Sequence, residues 1–173
     1  MTEVTLERHS GAQMLARLGT FADLYDEIHS EDPSETDPMF SRASFVARTE
    51  SQAQEAGFEL VTSRVGDVLA GFSFGYPFPA GRWWADCPAP PQDVLSARKF
   101  AVIELDVHKT FRGQGLSKRM LTELLAGRTE EYATLTATPG SQAHAMYLRW
   151  GWYTVGQFET PPVMDAMVLP LPR

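Results

Sequence analysis

The sequence predicts a single α/β domain spanning residues 1–173, and three observations carry that expectation. A hydrophobic content of 43% over 173 residues supplies one sizeable core and leaves little for a second. The segment from Phe100 to Gly127 passes from two-residue alternation through a glycine turn into helical spacing. A later segment, Thr136 to Phe158, reads as strand end, helix, glycine stop and strand.

The elements follow in order. Val4 to Arg8 is a short strand. Ser10 with Gln13 forms a capping-box signature for a helix running to about His29, whose apolar face is Met14, Leu18, Phe21, Tyr25 and Ile28. His29 to Pro38 is an acidic loop, and a second helix is expected from about Asp37 and Pro38 to Gly57. Phe58 to Arg64 and Val68 to Gly75 are strands joined by a tight hairpin at Gly66 and Asp67. Tyr76 to Lys99 carries too many prolines for a helix or a central strand and is expected as a long loop. It holds Tyr76, Phe78, Trp83, Trp84, Asp86 and Asp93.

Phe100 to Val107 is the next strand, and Leu116, Met120, Leu121, Leu124 and Leu125 repeat at helical spacing after it. Arg112, Gly113, Gln114 and Gly115 therefore sit at a helix start. Backbone N–H groups there lack intrahelical partners and carry the positive end of the helix dipole, so a phosphate is a natural ligand. The spacing is neither the dinucleotide fingerprint nor the P-loop. In the later segment Ala143, Met146, Tyr147 and Trp150 share one helical face, and Gly151 is placed to end that helix.

Arg112-x-x-Gly115-x-Ser117 resembles the pyrophosphate-binding turn of the GNAT superfamily of acyl-CoA-dependent N-acyltransferases, Gln/Arg-x-x-Gly-x-Gly/Ala, with Ser117 departing from the last position. Gly140, Ala143, Met146, Tyr147, Gly151 and Trp152 are similar to the family's Asn-x-x-Ala-x-x-Leu-Tyr-x-x-x-Gly-Phe pattern. Gly140 replaces the asparagine and Trp152 the phenylalanine. The resemblance implies a mixed, mostly antiparallel sheet flanked by helices, with acetyl-CoA as cosubstrate and no metal. It places coenzyme contacts at Leu105, Asp106, Val107, Arg112, Gly113, Gln114, Gly115, Leu116, Ser117 and Tyr147. A homodimer is implied by the family alone.

Composition restricts the partners. A formal net charge of −7 with scattered basic residues argues against nucleic acid. Arg112, Lys118 and Arg119 form the nearest thing to a basic cluster, suited to coenzyme phosphates. No run approaches the roughly eighteen apolar residues that span a bilayer, and no apolar leader is visible, so a cytoplasmic protein without membrane contact is expected. Cys87 is the single cysteine and allows no internal disulfide. His9, His29, His108 and His144 show no metal-ligand spacing, and no Gly-x-Ser-x-Gly elbow is present.

Acyl transfer sets the remaining requirements. A primary amine with a pKa near 10 is about a thousandfold protonated at neutral pH, so a base must free its lone pair. The developing oxyanion needs a donor, and the leaving thiolate needs a proton. Strand alternation puts Glu104, Asp106 and His108 on one face, with Glu104 the first candidate base, Asp106 the second and His108 the third. The alternative is that both carboxylates are solvated or ion-paired. Tyr147 matches the family's tyrosine that can protonate the thiolate, or is simply core. Tyr76, Trp83 and Trp84 are candidates for the acceptor wall, or for a hydrophobic lid. Cys87 lacks a neighbouring activator for a covalent acyl-enzyme route. The expected function is transfer of acetyl to a primary amine, of a small molecule first and of a protein second. A non-catalytic acyl-CoA-binding module is the reading from another class.

Overall fold

The computed structural model describes residues 2–173. Strands β1 (Val4–His9), β2 (Glu59–Val65), β3 (Val68–Phe78), β4 (Lys99–Val107), β5 (Tyr132–Ala137), β6 (Tyr153–Gln157) and β7 (Asp165–Pro170) form one sheet in the order β1-β2-β3-β4-β5-β7-β6. Helices α1 (Gly11–Ala16), α2 (Leu18–His29), α3 (Arg42–Gln52), α4 (Gln92–Leu95), α5 (Leu116–Leu125) and α6 (Gln142–Arg149) accompany it. The β1/β2, β2/β3, β5/β7 and β6/β7 pairs are antiparallel and β4/β5 is parallel, which is the mixed, mostly antiparallel sheet expected. No helix among the described residues is long and apolar enough to cross a membrane.

Local chemistry explains where the elements begin. Ser10 Oγ accepts from Gln13 N at 3.2 Å while Gln13 Oε1 accepts from Ser10 N at 2.8 Å, the reciprocal capping box. The expected single helix to His29 is two helices, because Arg17 leaves helical geometry at φ −124°, ψ 23°. The break re-phases the chain: Ala22 and Leu24 join Phe21, Tyr25 and Ile28 in the core, and Leu18 stays half-buried.

The expected helix from Asp37 to Gly57 is likewise divided. Asp37 caps a single 3-10 turn over Pro38–Phe40, and extended Ser41 then caps α3 by accepting from Ser44 N at 3.1 Å. Two good N-cap residues four positions apart each start their own helix. The Gly66–Asp67 hairpin stands as expected, with Val65 opposite Val68.

The expected loop from Tyr76 to Lys99 is shorter. β3 continues through Tyr76 to Phe78, and α4 and the start of β4 occupy its far end. Pro77 is tolerated because the β2 ladder ends at Glu59↔Gly75, so no bond on that side is lost. Lys99, fully buried, donates its ammonium to the carbonyls of Val94, Leu95 and Ala97, and so closes the one-turn α4.

The backbone groups into two compact units, one of residues up to Tyr76 with Glu104–Ala126, the other of Pro77–Ile103 with Gly127–Arg173. The first has an aromatic core in which Tyr25 stacks on Phe45 at 4.3 Å, and Phe21 and Phe45 meet Phe72 edge-on at 5.5 and 6.0 Å. The second packs Phe100, Ala133, Leu135, Met167 and Val168, with the Arg128 guanidinium 4.1 Å from the Phe100 ring centre and paired to Glu130.

Gly71 of β3 fixes the approach of β4 in the first unit. A Cβ there would lie 2.5 Å from the Asp106 carbonyl oxygen and 3.0 Å from Met120 Cε. Gly71→Ala is therefore expected to cost about 2 kcal/mol or more by forcing the strands apart. Urea unfolding checks it, and unchanged stability would mean that β4 yields freely at this point.

Candidate active site

The end of β4 from Glu104, the start of α5 and the side chains that meet Glu104 and Asp106 all belong to the first unit. β4 ends at Val107, a 3-10 turn follows over Lys109–Phe111, and Arg112 turns its Nε back to the Val107 carbonyl at 3.2 Å. Gly113 and Gly115 then take φ of 78° and 76°, and α5 begins at Leu116 with no side-chain cap. A Cβ on either glycine would touch nothing within 4 Å, so left-handed geometry rather than crowding calls for glycine. Arg112, Gly113, Gln114 and Gly115 are exposed, Ser117 is half-buried, and the Leu116 side chain is core. An exposed, uncapped start on a ten-residue helix, with open space beside it, can bind an anion through its backbone.

The side chains of Glu104 and Asp106 meet a cluster contributed by three other elements. His29, the last residue of α2, directs Nε2 to Asp106 Oδ1 at 3.0 Å and Nδ1 to Glu35 of the following loop. Arg48 of α3 lies 3.3 Å from Glu104 Oε1 and 2.9 Å from the Tyr25 hydroxyl. His29, Glu104 and Asp106 bring one ligand-type atom each within 4.8 Å of one another. The His29 imidazole and the Arg48 guanidinium pair with these acids, at 3.0 Å from Asp106 and 3.3 Å from Glu104.

Burial and neighbouring charge set the protonation states. Burial works against a charged His29, but hydrogen bonds to Asp106 and Glu35 and the nearby Glu104 outweigh it and raise the ring to about 10. Burial first, then the Asp106 charge, pushes Glu104 well above the usual carboxylate range. The carboxyls of Glu104 and Asp106 lie within 4.8 Å of each other. Asp106 Oδ2 is buried and has no hydrogen-bond partner among the described residues. The Tyr25 hydroxyl is pushed up by burial and by the Glu104 charge, so it stays protonated.

Other expected residues are placed as follows. Leu105 is half-buried and Val107 buried on β4. His108 lies at the surface end of the strand, 3.2 Å from Glu27 and capping Thr110 N, outside the carboxyl cluster. Tyr76 is buried in β3. In the second unit, Trp84 donates Nε1 to Thr134 Oγ1 of β5 at 3.0 Å and packs edge-on against Phe78, which commits it to the fold. Trp83 is half-buried beside Cys87, whose thiol is pushed up by burial and is a poor nucleophile. Tyr147 is buried on α6, with its ring 6.0 Å from Trp150 and 5.8 Å from Trp152. Gly151 ends α6 at φ 93° as expected.

Sequence reasoning missed His29, Glu35, Arg48 and Tyr25. The signal available was a histidine at a helix end beside an acidic loop, with the carboxylates it meets far along the chain.

Residues 21–152 match the acetyltransferase (GNAT) family. Among solved structures, the chain is similar to a histone acetyltransferase HPA2 and related acetyltransferase from Corynebacterium glutamicum, at 17% identity and TM-score 0.67 over 100% of this chain and 98% of that one. It is also similar to the ribosomal-protein-S18-alanine N-acetyltransferase from Escherichia coli, at 14% and 0.65 over 99% and 96%. A third is PaiA N-acetyltransferase from Thermoplasma acidophilum in complex with coenzyme A, at 10% and 0.61 over 98% and 99%. These likenesses are of fold. No curated protein matches the sequence.

The cluster makes stability depend on pH with a defined sign. The folded state raises His29 from 6.5 to about 10, so it binds that proton more tightly than the unfolded chain does. The stabilisation is present in full below pH 6.5 and is lost as pH rises toward 10. Glu104, also raised, acts with the same sign from the carboxylate range upward. Unfolding free energy is expected to fall by roughly 2–4 kcal/mol across the histidine window, and His29→Gln to flatten that slope. Urea unfolding at a series of pH values checks it, and a parallel slope in the variant would reject it.

Proposed function

Because the chain belongs to the acetyltransferase (GNAT) family, and is therefore an acetyl-CoA-dependent acyltransferase, we propose that its acceptor is a primary amine of a small molecule, acetylated by direct attack in a ternary complex. One observation carries this reading. Glu104, its proton affinity raised by burial, stands beside Asp106 on β4, and the same strand runs out into an exposed, uncapped helix start beside open space. Proton acceptor and phosphate site thus share one strand end.

The chemistry follows from these groups. The phosphates of acetyl-CoA take the backbone N–H groups after Gly113 and Gly115, and the thioester lies along Leu105 to Val107. The ammonium of the acceptor yields a proton to the Glu104 carboxylate through water, and the freed lone pair attacks the thioester carbonyl. The C–N bond forms and the C–S bond breaks. The thiolate takes the Tyr147 proton, and the second proton lost by the nitrogen restores the tyrosine, so that one proton in all passes from the acceptor to Glu104. Glu104, raised by burial and by Asp106, is a stronger base than an exposed carboxylate once ionised. A base whose side chain is only 13% exposed is reached more readily by a small amine than by a folded protein surface, which supports the small-molecule acceptor. Trp83, half-buried, is the member of the proposed acceptor wall with ring surface to offer, while Trp84 is committed to the fold through Thr134.

Thiol release from acetyl-CoA, followed against a panel of small amines and peptides with an amine-free control, tests the proposal. Release with one class of small amine is expected. Release with peptides alone would reassign the acceptor to a protein, and acetyl-CoA binding without release would favour a non-catalytic module. Glu104→Gln is expected to lower turnover at neutral pH by about 100-fold, with recovery at high pH where the amine deprotonates in solvent. A wild-type pH profile in that variant would remove Glu104 from the role. Tyr147→Phe keeps the packing and is expected to lower turnover about tenfold at unchanged stability, and full activity would make Tyr147 core only.

A further inference from the structure

Glu104 and Asp106 stand two residues apart on β4 with carboxyl oxygens within 4.8 Å of each other, and nothing in β4 itself sets the two apart. His29 supplies the asymmetry. Its Nε2 meets Asp106 Oδ1 at 3.0 Å, Glu35 holds its Nδ1, and its side chain is 11% exposed. Two aromatic rings lie against the imidazole, Tyr25 with centroids 4.0 Å apart and Phe40 at 5.7 Å with planes 18° from parallel. A ring with a carboxylate at each nitrogen and aromatic faces beside it is built to be a cation.

We propose that His29 is a positioning residue, a fixed imidazolium that holds Asp106 as the anion of the pair and so directs the reaction's proton to Glu104. The inference rests on the acetyl-transfer reading above for its catalytic consequence, and on the cluster's geometry alone for the state of the ring. The groups facing His29 can be named. Asp106 and Glu104 come from β4, Glu35 and Asp32 from the loop, and Tyr25 from its own helix. Arg48 of α3 acts on Glu104 from the other side. Asp106 pairs with His29 at 3.0 Å, whereas Glu104 has Arg48 at 3.3 Å. The two cations thus divide the pair: a direct hydrogen bond pins Asp106, and a longer contact leaves Glu104 free to gain and lose a proton. The proton taken from the ammonium moves to a Glu104 oxygen, Asp106 stays an acceptor throughout, and His29 keeps both N–H bonds.

This differs from a scaffold role in a measurable way. Removing the positive charge without removing the side chain leaves the pair with less cationic support, so its proton is held more tightly. In His29→Gln the acid limb of kcat is expected to move up by about one pH unit, with turnover at pH 7 falling about tenfold and KM for acetyl-CoA unchanged. His29→Lys, which restores a cation, is expected to bring the limb back toward its original position. Glu35→Gln, which removes an anion from the loop side of a ring that stays charged, is expected to shift it in the opposite direction by less, and it remains usable if the His29 variants fail to fold. An unmoved limb in His29→Gln or Glu35→Gln overturns the proposal. Nitrogen NMR of the His29 ring in the unmodified protein supplies a readout that needs no turnover. A doubly protonated ring at pH 8 supports the inference, and a ring that deprotonates near pH 6.5 overturns it. Absence of thiol release with every acceptor would defeat the acetyl-transfer reading while leaving this spectroscopic result to decide the state of His29.

Discussion

The position of Asp106 is the constraint on which the rest of the first unit depends. Its carbonyl lies where only a glycine on β3 lets it come, opposite Gly71, and its carboxylate sits 7% exposed against His29 and Glu104. A buried carboxylate is costly unless it is paired and hydrogen-bonded. The end of α2, the loop to Glu35 and the α3 arginine are therefore drawn to one point on β4. Val107, the next residue, closes the strand, and Arg112 returns to its carbonyl before the glycines turn the chain into α5. The acid cluster and the helix start that can hold phosphate are consequences of the same strand end.

What the sequence disclosed is what short-range physics governs. Glycines with positive φ at 113, 115 and 151, the Ser10–Gln13 box and the Gly66–Asp67 hairpin are each decided by a few neighbouring residues. The breaks at Arg17 and Ser41 escaped the reading because periodicity continues across them while the backbone does not. Arg17 leaves the helix so that the next turn can seat Ala22 and Leu24 in the core, and Ser41 competes with Asp37 as a start signal. Pro77 reads as a strand breaker, yet the partner strand has already ended beside it.

The candidate site was legible in half. Glu104 and Asp106 were readable from strand alternation next to the glycine turn. Their cations were not, because His29 lies 77 residues from Asp106 and Arg48 lies 56 from Glu104, separations that no local pattern encodes. Only the pairing of α2 and α3 over β3 and β4 brings them in. The reading that Glu104 and Asp106 are ion-paired and the reading that one of them is a base were posed as alternatives. The two are compatible, since His29 pairs with Asp106 and Arg48 with Glu104 while burial raises the proton affinity of Glu104.

A network of this kind is an inefficient way to hold a fold together. Apolar side chains of similar volume would stabilise the same space at least as well, without the cost of desolvating charged groups. Its stabilisation also declines as His29 and Glu104 lose their protons, across the pH range in which an amine acceptor becomes more nucleophilic. What the network supplies is a carboxyl, Glu104, whose proton affinity is raised in a place that solvent barely enters. The raised affinity that weakens the fold as pH rises is the same property that makes Glu104 a strong base, so stability and reactivity here draw on one set of contacts in opposite directions.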